Sequence, residues 1–160
     1  MEMVYALLER ANKSLKIADH LAYVTYPLLK DTKLVILILE NINNALTLSV
    51  EAMIEYDRMF KRIINIPADF QSRLELFKRS SAPRYNIDRE HIMLISEINQ
   101  IMETRKKGTM SFMKDDRLVV CGTDFRTRTV DYAKTKDYVN RSKAYMAKIN
   151  NILRQNARRF

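Results

Sequence analysis

The stretch Arg84-Tyr85-Asn86-Ile87-Asp88-Arg89-Glu90-His91 sets two guanidiniums and an imidazole around a helix start. With Asp88 as the cap, His91 takes the third helical position. There, unsatisfied amides and the positive end of the helix dipole disfavour a protonated ring. A neutral histidine at that place is a candidate general base. Arg84, with Arg89 close by, is suited to hold a phosphate in the preceding loop and first turn. The pair makes chemical sense: a base to take the proton of a ribose 2′-hydroxyl, and a cation to stabilise the charge growing on the phosphoryl group. The plain alternative for His91 is a surface or capping histidine, and His20, among Ala18, Leu21 and Ala22, reads as a boundary residue of its helix.

A second constellation lies further on. Lys114, Arg117, Arg126 and Arg128 interleave with Phe112, Phe125 and Tyr132; Arg105, Lys106 and Lys107 stand just upstream, Lys134 and Arg141 just downstream. Cations alternating with rings on a ribbon can neutralise phosphates while the rings stack on unpaired bases. Arg126 and Arg128, two apart on a strand, share one face. The alternative is that Phe125 and Tyr132 pin a hairpin to the protein while the arginines are simply solvated. Net charge is +9, and residues 1 to 102 are neutral, with 13 basic against 13 acidic side chains. Residues 103 to 160 hold 15 basic against 6 acidic, so the whole excess falls there. Such asymmetry marks a surface attractive to phosphate.

Other chemistries are excluded by what is scarce. Only Gly108 and Gly122 exist, too few for a Gly-rich phosphate loop. One Cys and two His fall short of a zinc set, and Asp88 to His91 gives a single Asp-x-x-His with no second copy for a di-iron bundle. No metal or cofactor is therefore expected. Cys121, inside an apolar strand, reads as a small core residue, and a lone cysteine fits a reducing compartment, hence the cytoplasm. The longest unbroken apolar run, residues 34 to 39, is about a third of a bilayer span, and charges interleave through the first 20 residues, so neither a membrane segment nor a secretory leader is expected.

The elements that must position these groups follow from spacing. Val4, Leu7, Leu8, Ala11, Leu15, Ala18, Leu21, Ala22 and Thr25 predict an amphipathic helix over 3–25 that Pro27 ends. Asp31 is a candidate cap for a long second helix with a stripe from Val35 to Ile63, closed by Pro67. Pro67 can open a short third helix with Phe70, Leu74 and Phe77, which Ser80-Ser81-Ala82-Pro83 breaks. The fourth runs from Asp88 to the stop at Arg105-Lys106-Lys107-Gly108. Arg117–Cys121 and 125–130 flank Gly122 as two short strands. The last helix, 130–156, turns Val130, Ala133, Val139, Ser142, Met146, Ile149 and Leu153 inward, and a tail Arg158-Arg159-Phe160 follows. With 160 residues, 47% hydrophobic, the expectation is one all-α domain over 1–160. It is an antiparallel five-helix bundle with a short β-hairpin inserted before the last helix: a four-helix core over 1–107, the insert over 108–130 and a basic helix over 131–160.

A helical bundle of this size with Arg84 and His91 separated by six residues at a helix start resembles the HEPN superfamily. The likeness covers roughly residues 3–107. It implies a metal-independent endoribonuclease with an Arg-x(4–6)-His motif, two protomers bringing their motifs together across a homodimer cleft, or an inactive binding relative. Tyr85 stands where that motif commonly has a polar residue, and the basic hairpin and helix are additions to it. Three readings result: a nucleic-acid-binding protein, RNA favoured, using the basic hairpin and last helix; a HEPN-like ribonuclease; and a protein-interaction scaffold without catalysis.

Overall fold

The computed structural model describes residues 1–107, 110–122 and 126–157. Gly108, Phe125 and the tail Arg158-Arg159-Phe160, singled out above, lie outside the described residues. The chain is mostly helical, with a small antiparallel sheet before the last helix.

Helix α1 (Glu2–His20) buries Val4, Leu7, Leu8, Ala11, Leu15 and Ala18, the stripe its spacing predicts. It does not end before Pro27. A widened π turn, Leu21–Thr25, carries it into Tyr26–Leu29 with Pro27 inside. Proline lacks an N–H and its ring collides with the carbonyl four residues back, so a helix that continues must widen there. The Tyr26 N–H accordingly bonds five residues back, to Leu21 O. Ala22 O would then need the N–H that Pro27 lacks. The hydroxyl of Tyr132 fills that position by donating to Ala22 O, and its ring stacks on Tyr26 with centroids 4.0 Å apart.

Helix α2 (Lys33–Met59) is the central helix, with Val35, Ile38, Leu39, Ile42, Ala45, Leu46, Val50, Ala52 and Met53 all fully buried. Asp31 does accept the Lys33 N–H, at 3.0 Å, as a cap would. The helix stops at Met59, short of Ile63 and Pro67, because Lys61 turns left-handed (φ 58°). Among the described helices, α2 alone is long and apolar enough to cross a bilayer by length and composition; half of its apolar window is buried against neighbours. Asp69, not Pro67, starts α3 (Phe70–Leu76) by accepting the Ser72 N–H at 2.9 Å.

The expected break at Ser80–Pro83 is absent too. A second π turn, Phe77–Ser81, passes the chain over Pro83 into Ala82–Arg84, the Ala82 N–H again bonding five back to Phe77 O. Helix α4 (Arg89–Lys106) follows, with Asp88 accepting from His91 N–H through its backbone oxygen and making no side-chain cap. Helix α5 (Tyr132–Ala157) buries Val139, Ser142, Met146, Ile149 and Leu153 as expected. Thr135, Tyr138 and Tyr145 join that face, whereas Ala133 is exposed.

Cross-helix bonds give the topology. Ser14 meets Asn44 and Met1 meets Met59, so α1 and α2 are antiparallel. Asn12–Asn150 and Asp19–Lys143 run α5 antiparallel to α1, Glu40–Arg105 and Asn43–Asn99 run α4 against α2, and Glu97–Tyr138 joins α4 to α5. The four long helices form an up-down bundle and α3 lies across α2 and α4, through Arg73–Glu51 and Gln71–Asn99.

The insert has three strands where two were expected. The strands β1 (Met110–Lys114), β2 (Arg117–Cys121) and β3 (Thr127–Val130) pair antiparallel in that order. The β1–β2 turn is Asp115-Asp116, both left-handed at φ 49° and 62°, the conformation a two-residue hairpin requires. Leu118, Val120 and Val130 are buried against the bundle.

Candidate functional site

The residues expected to act fall at opposite ends of the bundle. At one end, where α2 finishes, Asp57 is completely buried and each of its oxygens is held twice. Tyr85 OH donates to Oδ1 at 2.6 Å, with Arg62 Nη1 3.4 Å away; Ser81 Oγ donates to Oδ2 at 2.6 Å, with Arg84 Nη1 2.9 Å away. Arg62 also donates to the Tyr85 oxygen at 2.8 Å. Burial, reinforced by the bond to Asp57, pushes the Tyr85 hydroxyl well above its usual range, so it stays a donor. Arg84 is thus occupied by a carboxylate inside the fold.

His91, one turn into α4, packs against Tyr145 with ring centroids 5.5 Å apart and keeps 19% of its side chain exposed. Burial holds its imidazole below the ordinary range. Asp88 opposes that shift from 3.9 Å and Glu90 adds to the opposition, while Lys148 and Arg141 push the same way as burial. The cations facing His91 come from α5. Lys148 itself donates to Asn86 O and lies 3.9 Å from Asp88. Among the described residues, no hydrogen bond or ion pair joins Arg84 to His91.

The other end gathers the C-termini of α1 and α4, the N-termini of α2 and α5, and the sheet. Part of the C-terminal charge excess is neutralised here by acids from the first 102 residues. Arg105 pairs with Glu40 at 3.5 Å, Arg128 with Glu97 at 3.7 Å and Lys143 with Asp19. Lys134 and Arg141 share Asp137, at 3.7 and 3.4 Å, over the ring of Tyr138. Charge segregated along the chain is therefore partly mixed in space. Lys106, Lys107, Lys114 and Arg117 differ: all are exposed, and among the described residues no carboxylate pairs with them.

Strand register divides the predicted basic ribbon. Cross-strand partners point to one face, so Lys114 and its partner Arg117 share the outer face with Phe112 and Val119. Arg128, partner of buried Val120, points to the inner face, where Nη2 donates to Gln100 at 2.8 Å. Arg126, two residues away, follows it. Arg126 and Arg128 thus lie on one face of the sheet and Lys114 and Arg117 on the other. Tyr132 is with neither pair, being stacked on Tyr26.

Beneath the inner face runs a groove of about 690 Å³, bounded by the start of α3, the last turns of α4 and the edge of the sheet. Phe70, Gln71, Gln100, Lys107, Arg126 and Arg128 line it, with Asp69 and Glu103 at its walls. Asp57 and the groove amides were missed by residue spacing. One signal for Asp57 exists: it continues the Leu46, Val50, Met53 series, so a carboxylate sits at a core position.

Comparison with protein-family models, with curated proteins and with solved structures finds no match to this chain.

Proposed function

We propose that this is a nucleic-acid-binding helical protein of the cytoplasm, RNA favoured, that docks through the sheet end of its bundle. The carrying observation is the set Lys106, Lys107, Lys114 and Arg117, exposed and, among the described residues, in no ion pair, with Phe112 43% exposed next to the strand cations on the outer face. Phosphates displace counterions from such side chains, so binding must weaken steeply with salt. A ring exposed among them offers a stacking face to an unpaired base. The bundle supplies rigidity, and a second copy would double the contact by avidity.

A second reading, a HEPN-like metal-independent ribonuclease, draws on His91, whose neutral form suits a general base. Arg84, expected to hold the phosphate, is engaged with Asp57, and the cation on the His91 side is Lys148, itself bonded to Asn86 O and 3.9 Å from Asp88. One experiment separates the readings. Purified protein is incubated with total RNA in chelator, and retention and cleavage are scored separately. Retention that falls with salt, without cutting, supports the first; cutting lost in His91→Ala supports the second. Binding only to an acidic polypeptide would replace both with a scaffold.

A further inference from the structure

We infer that the groove between the sheet, α3 and α4 is a recognition pocket for one unstacked ribonucleotide of a single strand. This deepens the RNA-binding reading and rests on it. The groove, at about 690 Å³, falls within the roughly 300–1,000 Å³ of pockets that enclose small ligands. Its chemistry is graded in the way a nucleotide is graded. Phe70, half-buried at the first residue of α3, offers a ring beside the apolar Val120. Next to it stand two amides. Gln71 spends its Nε2 on Asn99 at 2.8 Å, which leaves its carbonyl oxygen as an acceptor. Gln100 spends its Oε1 on Arg128, which leaves its NH₂ to donate. One acceptor and one donor lining the same groove are the groups a base edge needs for a two-bond contact.

Phosphate falls to Lys107, exposed on the groove wall and in no ion pair among the described residues, while Arg128 is held by Glu97 and orients the Gln100 amide. Glu103 supplies the remaining piece. A carboxylate in a groove otherwise suited to an anion works against phosphate at that spot but accepts a hydrogen bond from a hydroxyl. A ribose 2′-hydroxyl is such a donor, and it is the group that separates RNA from DNA. The arrangement therefore favours a ribonucleotide, bound by base edge, 2′-hydroxyl and one phosphate. The outer face of the sheet holds the flanking backbone.

The test uses the full chain, isotope-labelled, titrated with the four ribonucleoside 5′-monophosphates, their deoxy counterparts, ribose 5-phosphate and inorganic phosphate. Amide shifts are followed at residues 99–107 and 120–122. The expected result is that one ribonucleotide binds about tenfold or more tighter than ribose 5-phosphate, the size a two-bond amide contact gives. Its deoxy form binds more weakly. Gln71→Ala with Gln100→Ala is expected to erase the preference among bases while the salt slope for a single-stranded oligonucleotide stays unchanged. Equal binding of ribose 5-phosphate and nucleotides, or no shift in the groove, overturns the pocket. If an oligonucleotide still binds with a steep salt slope in that case, the RNA-binding reading stands without it. If no oligonucleotide binds, both fall.

Discussion

At the α2 C-terminus two arginines, a serine and a tyrosine close on a carboxylate that water does not reach, whereas at the sheet end Lys106, Lys107, Lys114 and Arg117 are exposed and, among the described residues, in no ion pair. Both regions looked alike as sequence, each an array of basic residues near an aromatic. What separates them is the burial of one acid. A buried carboxylate costs several kcal/mol unless all its lone pairs are met, so it recruits every donor within reach and removes them from other work. Arginines drawn to it are structural by default. Cations with no such partner keep their charge for an external anion. Glu40, which meets Arg105, and Asp57, which meets Arg84, lie about 25 Å apart on α2 at a rise of about 1.5 Å per residue. A single phosphate cannot use both ends.

The largest test of this contrast is Asp57→Ala. It strands Tyr85 and Ser81 without an acceptor and frees Arg62 and Arg84, and the expected loss is about 3–5 kcal/mol, read as a lower denaturant midpoint with unchanged slope. A loss below about 1 kcal/mol breaks the claim that this end is structural. At the opposite end, replacing Lys106, Lys107, Lys114 and Arg117 by Ala is expected to leave the melting temperature nearly unmoved. RNA affinity should fall by tens-fold, about 2 kcal/mol, and the log–log salt slope should drop by up to about four. An unchanged slope would remove these residues from the interface.

Tyr145→Phe sharpens the picture between the ends. The Tyr145 hydroxyl lies 2.9 Å from Ser49 Oγ in the core, so its removal is expected to cost about 1 kcal/mol without touching RNA binding. The smallest effect concerns His91. Its folded-state pKa lies below the unfolded value, so the unfolded chain binds the proton first and stability falls as pH drops through the usual histidine range, near 6.5. The loss is complete once pH is under the folded value. His91→Gln should flatten that dependence, and a proton-resonance titration of His91 showing a pKa at or above the ordinary value would contradict it.

Much of the bundle was legible because apolar spacing survives in any context. The stripes of α1 and α5, the start of α4 and the β2–β3 pairing all follow from local pattern. Pro27 and Pro83 misled, since a helix that widens to pass a proline depends on tertiary partners such as Tyr132, a hundred residues away. Strand β1 was hidden because its turn is Asp-Asp, which carries the left-handed conformation without the Asn-Gly or Asp-Gly that announces it. The candidate site was half legible. Residue types named the cations, but only register assigns Lys114 and Arg117 to one face and Arg128 to the other. Ion pairs formed across long separations, such as Lys143 with Asp19, leave no mark in a linear charge count.

The widened turn before Pro27 does more than let a helix continue. A π turn can ordinarily walk along its helix, since moving it one residue exchanges one five-residue bond for another. A missing N–H blocks the walk. The vacancy at Ala22 O is pinned there, and Tyr132, at the first residue of α5, keys into it. The first and last helices are thereby indexed in rotation as well as in contact, like a shaft and its keyway. With alanine at position 27 an N–H returns to meet Ala22 O, and the bond that keys the last helix to the first loses its slot.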